Sequence, residues 1–95
     1  MSDPTLLILA SLAEGDKHGY AIMEDILAFA KISLGPGTLY GAITRLEQRA
    51  WIRAVGSRER RQPYRLTASG QKYLEDQLES LERVIRTATR RLKHA

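Results

Sequence analysis

A chain of 95 residues, 43% hydrophobic and without cysteine, is sized for one small domain and excludes disulfides, thiolate chemistry and cysteine zinc sites. Its net charge of +4 is unevenly placed. Residues 1–52 carry four basic and six acidic side chains, residues 53–65 five and one, and residues 66–95 six and four.

Asp3-Pro4 reads as a helix start, with the carboxylate as cap and proline in the first turn. Leu6, Leu7, Leu9, Ala10 and Leu12 cover most of that helix, which is expected to be buried and to stop near Glu14-Gly15. Leu6-Leu7-Ile8-Leu9 comes after an acidic residue with no basic run before it, so no secretory leader is expected. No apolar run approaches the length of a membrane span. A second helix is expected from Asp16 or His18 to about Ala30, with Tyr20, Met23, Ile26, Leu27 and Ala30 inward and Glu24 and Asp25 in water.

The third helix opens with Pro36 and runs to about Gln48. Leu39, Ile43 and Leu46 recur at spacings of four and three and form its apolar stripe. Its other side carries Thr38, Gly41, Thr44, Arg45 and Gln48. Short hydrogen-bonding side chains, one long cation and a glycine that admits a large partner suit a groove lined with polar base edges. A merely solvated face has the same composition, so the segments beyond Gln48 decide between the two.

There the periodicity changes. Residues 51–55 and 62–66 read as two short strands around the polar turn Gly56–Arg61, giving a hairpin with an arginine-rich tip. Pro63 lacks an N–H for a ladder, so its strand is expected at an edge. Trp51 is expected to pack at the helix–hairpin junction. Thr67 then caps a helix from Ala68 to about Leu92, roughly 37 Å long. Leu74, Leu78, Leu81, Ile85, Ala88 and Leu92 alternate spacings of four and three, a heptad seam that calls for a partner helix and hence a homodimer. Glu79–Arg83 and Glu82–Arg86 stand at the favourable i,i+4 spacing.

Catalytic chemistry finds no support. His18 and His94 belong to no ligand spacing, and Glu24 and Asp25 are adjacent on a helix. Gly35-Pro36-Gly37 has neither the strand nor the lysine of a phosphate loop. No cofactor or metal is expected. The order of elements is instead that of a winged helix-turn-helix: mainly α with a small β-hairpin, residues 1–67, and then a long C-terminal dimerisation helix, residues 68–95.

The motifs Leu7-Ile8-Leu9, His18-Gly19-Tyr20-Ala21-Ile22, Gly37-Thr38-Leu39-Tyr40, Arg45-Leu46-Glu47, Trp51-Ile52 and Tyr64-Arg65-Leu66-Thr67 stand in one order across nearly the whole chain. In this the chain resembles the PadR-like transcriptional regulators, in their smaller subclass. The resemblance implies a bacterial, cytoplasmic, nucleoid-associated dimeric repressor of a pseudo-palindromic operator in double-stranded DNA. Some members respond to phenolic acids or planar drug-like molecules, so a small aromatic effector is a further expectation. The chain departs from the family at Ala50, where glycine commonly ends the recognition helix, and in having Tyr73 as the single aromatic residue of its last helix.

The residues expected to meet DNA are Thr38, Tyr40, Gly41, Thr44, Arg45 and Gln48 on the third helix, and Lys17 and Tyr20 at the start of the second. Arg58, Arg60 and Arg61 on the wing complete the set. Tyr40 fits a half-buried core position equally well; for Arg45 the lesser alternative is an ion pair with Glu47 or an acid of the second helix, and His18 is expected to cap or pack.

Overall fold

The computed structural model describes residues 4–56 and 61–94. The expected cap Asp3 and the wing residues Arg58 and Arg60 lie outside that range. Helix α1 (Pro4–Leu12) is apolar on most sides and sits in the centre, with Leu7, Ile8, Leu9 and Leu12 buried. Its one buried polar residue, Ser11, donates its hydroxyl to Asp25 at 2.7 Å. Gly15, at φ +153°, makes the next turn and returns its N–H to the Leu12 carbonyl.

Lys17–His18 do not start the second helix but form a short strand, β1. Helix α2 (Gly19–Ala30) begins one residue later, and His18 caps it by accepting the Ala21 N–H on Nδ1 at 3.3 Å. Its inward face is Gly19, Ile22 and Ile26, whereas Tyr20 and Leu27, expected inward, are more than half exposed. Asp25, expected in water, is instead drawn against α1 by Ser11 and Lys17. The helix ends on Lys31 in the left-handed conformation, φ 59°.

Helix α3 (Pro36–Gln48) starts at proline as expected and buries Leu39, Ala42, Ile43 and Leu46. It closes at Ala50, which takes φ 61°, the left-handed position that favours glycine. Around it the Trp51 N–H returns to the Leu46 carbonyl at 3.1 Å and the Ala50 N–H to the Glu47 carbonyl at 2.9 Å, a complete Schellman closure. Thr67 and Ser69 both donate their hydroxyls to the Ala50 carbonyl, at 2.6 and 2.9 Å. Alanine is held in a glycine conformation because the chain on both sides is fixed.

Strands β2 (Ile52–Ala54) and β3 (Pro63–Leu66) form the expected hairpin, but the sheet has three strands in the order β1-β3-β2. Strand β3 is therefore central, not an edge. Proline is tolerated because it is the first residue of the strand and only its carbonyl is used toward the hairpin, accepting the Val55 N–H at 3.1 Å. Lys17 pairs with Tyr64 and His18 with Pro63.

Helix α4 (Ala68–Lys93) is capped by Thr67, whose hydroxyl accepts the Gly70 N–H at 3.0 Å. Its first two turns belong to the main core. Leu74, read as the start of the pairing seam, is 6% exposed and packs with α1 and the rest of the core. Tyr73 stacks on Trp51 with ring centroids 3.8 Å apart, and the Arg49 guanidinium lies 5.1 Å from the same indole. Trp51 thus packs at the junction, as expected. Past Leu74 the helix leaves the body. The radius of gyration is 15.0 Å, against about 12 Å for a compact chain of this length, and the longest extent is 56 Å.

Candidate nucleic-acid interface

Burial of Leu39, Ile43 and Leu46 turns the opposite side of α3 outward. Thr38, Thr44, Arg45 and Gln48 are exposed there, and Gly41 is half-buried. Thr44 donates its hydroxyl to the Tyr40 carbonyl at 3.0 Å, back along the helix. Arg45 joins none of the ion pairs found among the described residues. A Cβ built on Gly41 meets only the Arg45 guanidinium, at 3.7 Å, so the backbone here is open to close approach.

Tyr40 is 46% exposed, yet its hydroxyl end lies directly over Gly19 at the start of α2. The ring braces α3 on α2, as the half-buried position implies, and part of it stays accessible. Beside it lies a cavity of about 300 Å³, lined among the described residues by His18, Gly19, Tyr20, Tyr40, Arg61, Gln62 and Tyr64. Arg61 Nη1 stands 3.3 Å from His18 Nε2, so the root of the wing touches the cap of α2. Burial, with lesser contributions from Glu47 and Tyr40, pushes the Tyr64 phenol above its ordinary value of 10.0.

Lys17, expected to meet DNA, and Arg65 are both engaged inside the chain. Lys17 donates to the Ser11 carbonyl and pairs with Glu14 at 2.7 Å and Asp25 at 3.7 Å, with only 15% of its side chain exposed. It ties β1 to α1 and α2 and does not reach outward. Arg65 is a fork on Asp16, with Nη2 at 2.8 Å and Nε at 3.1 Å. That contact holds the Asp16 carboxyl below its ordinary range. Of the wing arginines, Arg61 alone falls within the described residues.

Sequence reasoning named Tyr20, Tyr40 and Arg61 but did not bring them together, and it left His18 and Tyr64 out. What assembles them is the pairing of β1 with β3. A two-residue strand has no alternation to betray it.

An exposed apolar line along α4 is equally plain. Leu78, Ile85 and Leu92 are 46%, 63% and 77% exposed, and Val84 beside them 61%. They continue, past the edge of the body, the line that Leu74 begins inside it. Leu81 is partly covered and Ala88 lies on the same line. The Glu79–Arg83 pair stands at 3.5 Å. Among the described residues no helix is long and apolar enough to cross a membrane.

Comparison with known proteins adds to this geometry. A PadR family transcription regulator from Clostridium difficile superposes with a TM-score of 0.85 at 26% identity, covering 94% of this chain and 97% of that one. A transcriptional regulator from Clostridium thermocellum gives 0.80 at 32% identity, covering 92% and 87%. Bacillus subtilis PadR, solved in complex with operator DNA, gives 0.69 at 24% identity over 82% of this chain and 48% of that one, a likeness of fold. An uncharacterised 37.1 kDa protein in transposon Tn4556 of Streptomyces fradiae is 40% identical over 83 residues, 87% of this chain. The chain spans about a quarter of that relative's length, 24%. The family model for the transcriptional regulator PadR-like family matches residues 8–76, and with the winged helix-turn-helix frame and its long last helix in place, the chain belongs to that family.

Proposed function

We propose that this chain is a dimeric, sequence-specific DNA-binding repressor of transcription. Helix α3 lies in the major groove with Thr38, Gly41, Thr44, Arg45 and Gln48 toward base edges and phosphates. Tyr20 at the start of α2 and Tyr40 beside it on α3 lie along the DNA backbone, and Arg61, with Arg58 and Arg60 in the sequence beside it, supplies the wing's charge. Lys17 is withdrawn from the set on account of its internal pairs.

The observation that carries this reading is the two-sided build of α3. One side is a closed core, and the other is polar, carries Arg45 as its one cation with Glu47 at its edge, and is open at Gly41. Membership of a family of transcriptional regulators and the operator-bound Bacillus subtilis PadR support it. For dimerisation the support is the line Leu78, Leu81, Ile85, Ala88 and Leu92, with the grooves beside it lined by Val84, Thr87 and Arg91 on one flank and Thr89 and Arg90 on the other.

Selection of bound genomic fragments and then gel shift is the test. Recovery of a dyad-related sequence, whose affinity falls when Arg45 or Thr44 is replaced by alanine, is expected. Retention of all duplexes alike, or of none at low ionic strength, would reject it.

A further inference from the structure

Both ring nitrogens of His18 face donors. Nδ1 takes the Ala21 N–H at 3.3 Å, and Nε2 stands 3.3 Å from Arg61 Nη1. A neutral imidazole offers one in-plane lone pair and one N–H, so it accepts from one of these groups and turns a proton toward the other. Protonation leaves both unaccepted. The tautomer that keeps the helix cap has its lone pair on Nδ1 and its hydrogen on Nε2, aimed at a guanidinium. Two donors then face one another, and an oxygen anion placed beside them accepts from both without disturbing the cap.

The surroundings match that occupant. The cavity beside this pair adds the phenol groups of Tyr20, Tyr40 and Tyr64, and no carboxylate is among the described residues that line it. Glu47 acts on Tyr64 from outside the lining. The other cations nearby are already matched, Lys17 with Glu14 and Asp25 and Arg65 with Asp16, whereas Arg61 joins none of the ion pairs among the described residues. The amide of Gln62 is turned away, donating to the Val55 and Pro63 carbonyls.

We infer that the cavity between His18 and Arg61 is an oxyanion site that grips one phosphate group through His18 Nε2–H and the Arg61 guanidinium, with a tyrosine hydroxyl completing the shell. On the DNA-binding reading proposed for α3, that group is a backbone phosphate beside the groove that the helix enters. His18 then registers the start of α2 and the root of the wing on one phosphate.

The test uses the whole chain. His18→Ser retains a cap acceptor for the Ala21 N–H and lacks the Nε2 donor. Its melting temperature is expected to stay close to that of the parent, while affinity for the selected duplex and for unrelated duplexes falls together by about tenfold, as for one lost charge-assisted hydrogen bond. Arg61→Ala is expected to do the same and to lower the salt slope by about one per chain. The double variant should lose less than the product of the two, because both groups hold one phosphate. In parallel, two-bond ¹H–¹⁵N spectra of the His18 ring are recorded against the duplex and against inorganic phosphate. A shift of Nε2 with duplex alone assigns the site to the DNA backbone. A shift with inorganic phosphate in a protein that retains no DNA leaves the oxyanion site standing and removes the DNA-binding reading. A parent that binds duplex while both single variants bind it equally well, with Nε2 unmoved by either probe, would overturn the inference.

Discussion

The hydroxyl of Tyr40 occupies the space that a side chain at Gly19 would need. A Cβ there would overlap the phenol oxygen, and this close approach is what sets α3 against the start of α2. Gly70 has a second such contact, where a Cβ would overlap the carbonyl oxygen of Trp51. The two differ in what must yield. At Gly19 it is the end of a half-exposed ring, at Gly70 it is backbone. Gly70→Ala is therefore expected to destabilise the fold by about 3 kcal/mol and Gly19→Ala by about 1 kcal/mol, the latter with loss of DNA affinity as Tyr40 is displaced. Urea unfolding of both variants beside duplex titration checks this. Equal losses would contradict it.

Ala50 is the position where the sequence and the backbone disagree. Its φ of 61° carries the cost of a left-handed L-residue, about 1 kcal/mol after the entropy of the replacement is counted. Ala50→Gly should stabilise the chain by that amount, read as a higher urea midpoint with an unchanged slope on denaturant. A lower midpoint would mean that α3 ends differently in solution.

Gly41 separates folding from binding. A Cβ at this position meets nothing closer than 3.7 Å within the chain, and alanine favours a helix over glycine by about 0.5–1 kcal/mol. Gly41→Ala is expected to melt higher than the parent and to bind its selected duplex more weakly, since the added methyl enters the face proposed to meet the groove. Unchanged affinity, read by fluorescence anisotropy, would move the contact away from the middle of α3.

Asp16 gives a pH signature. The hydrogen bonds from Arg65, and then its charge, lower the carboxyl below its ordinary 3.8 in the folded chain. A depressed folded value means that the contribution is complete above the unfolded carboxyl's range and fades as pH falls through the folded value. The group is fully exposed, so the effect is small. Melting temperatures of the parent and Asp16→Asn should differ at neutral pH and converge in acid. A gap that persists below the folded value would assign the difference to something other than ionisation.

Much of the frame was legible in the residues. Pro36 and Thr67 marked two helix starts, the 4-3 spacing of Leu39, Ile43 and Leu46 gave the inner face of α3, and Trp51 was placed at its junction. Several of the misreadings come from pairing between elements, which leaves no local period. Strand β1 is two residues long, and it puts Pro63 in a central strand and brings His18 to the wing. Lys17 reads as a DNA contact and Asp25 as solvated because no period in the sequence shows α2 packed on the turn after α1, which gathers both with Ser11 and Glu14. Leu74 shares the heptad register of Leu78 and Leu81, and only the packing of α4 on α1 shows that the seam's first member is spent inside the chain.

On the proposed function, two chains joined along the exposed line of α4 present two α3 helices to one duplex. Sedimentation equilibrium of the chain with a selected fragment decides it. Two chains per duplex, and a dimer in the absence of DNA, is the predicted result. One chain per duplex, or a lone chain that fails to sediment with the fragment at low ionic strength, would contradict it.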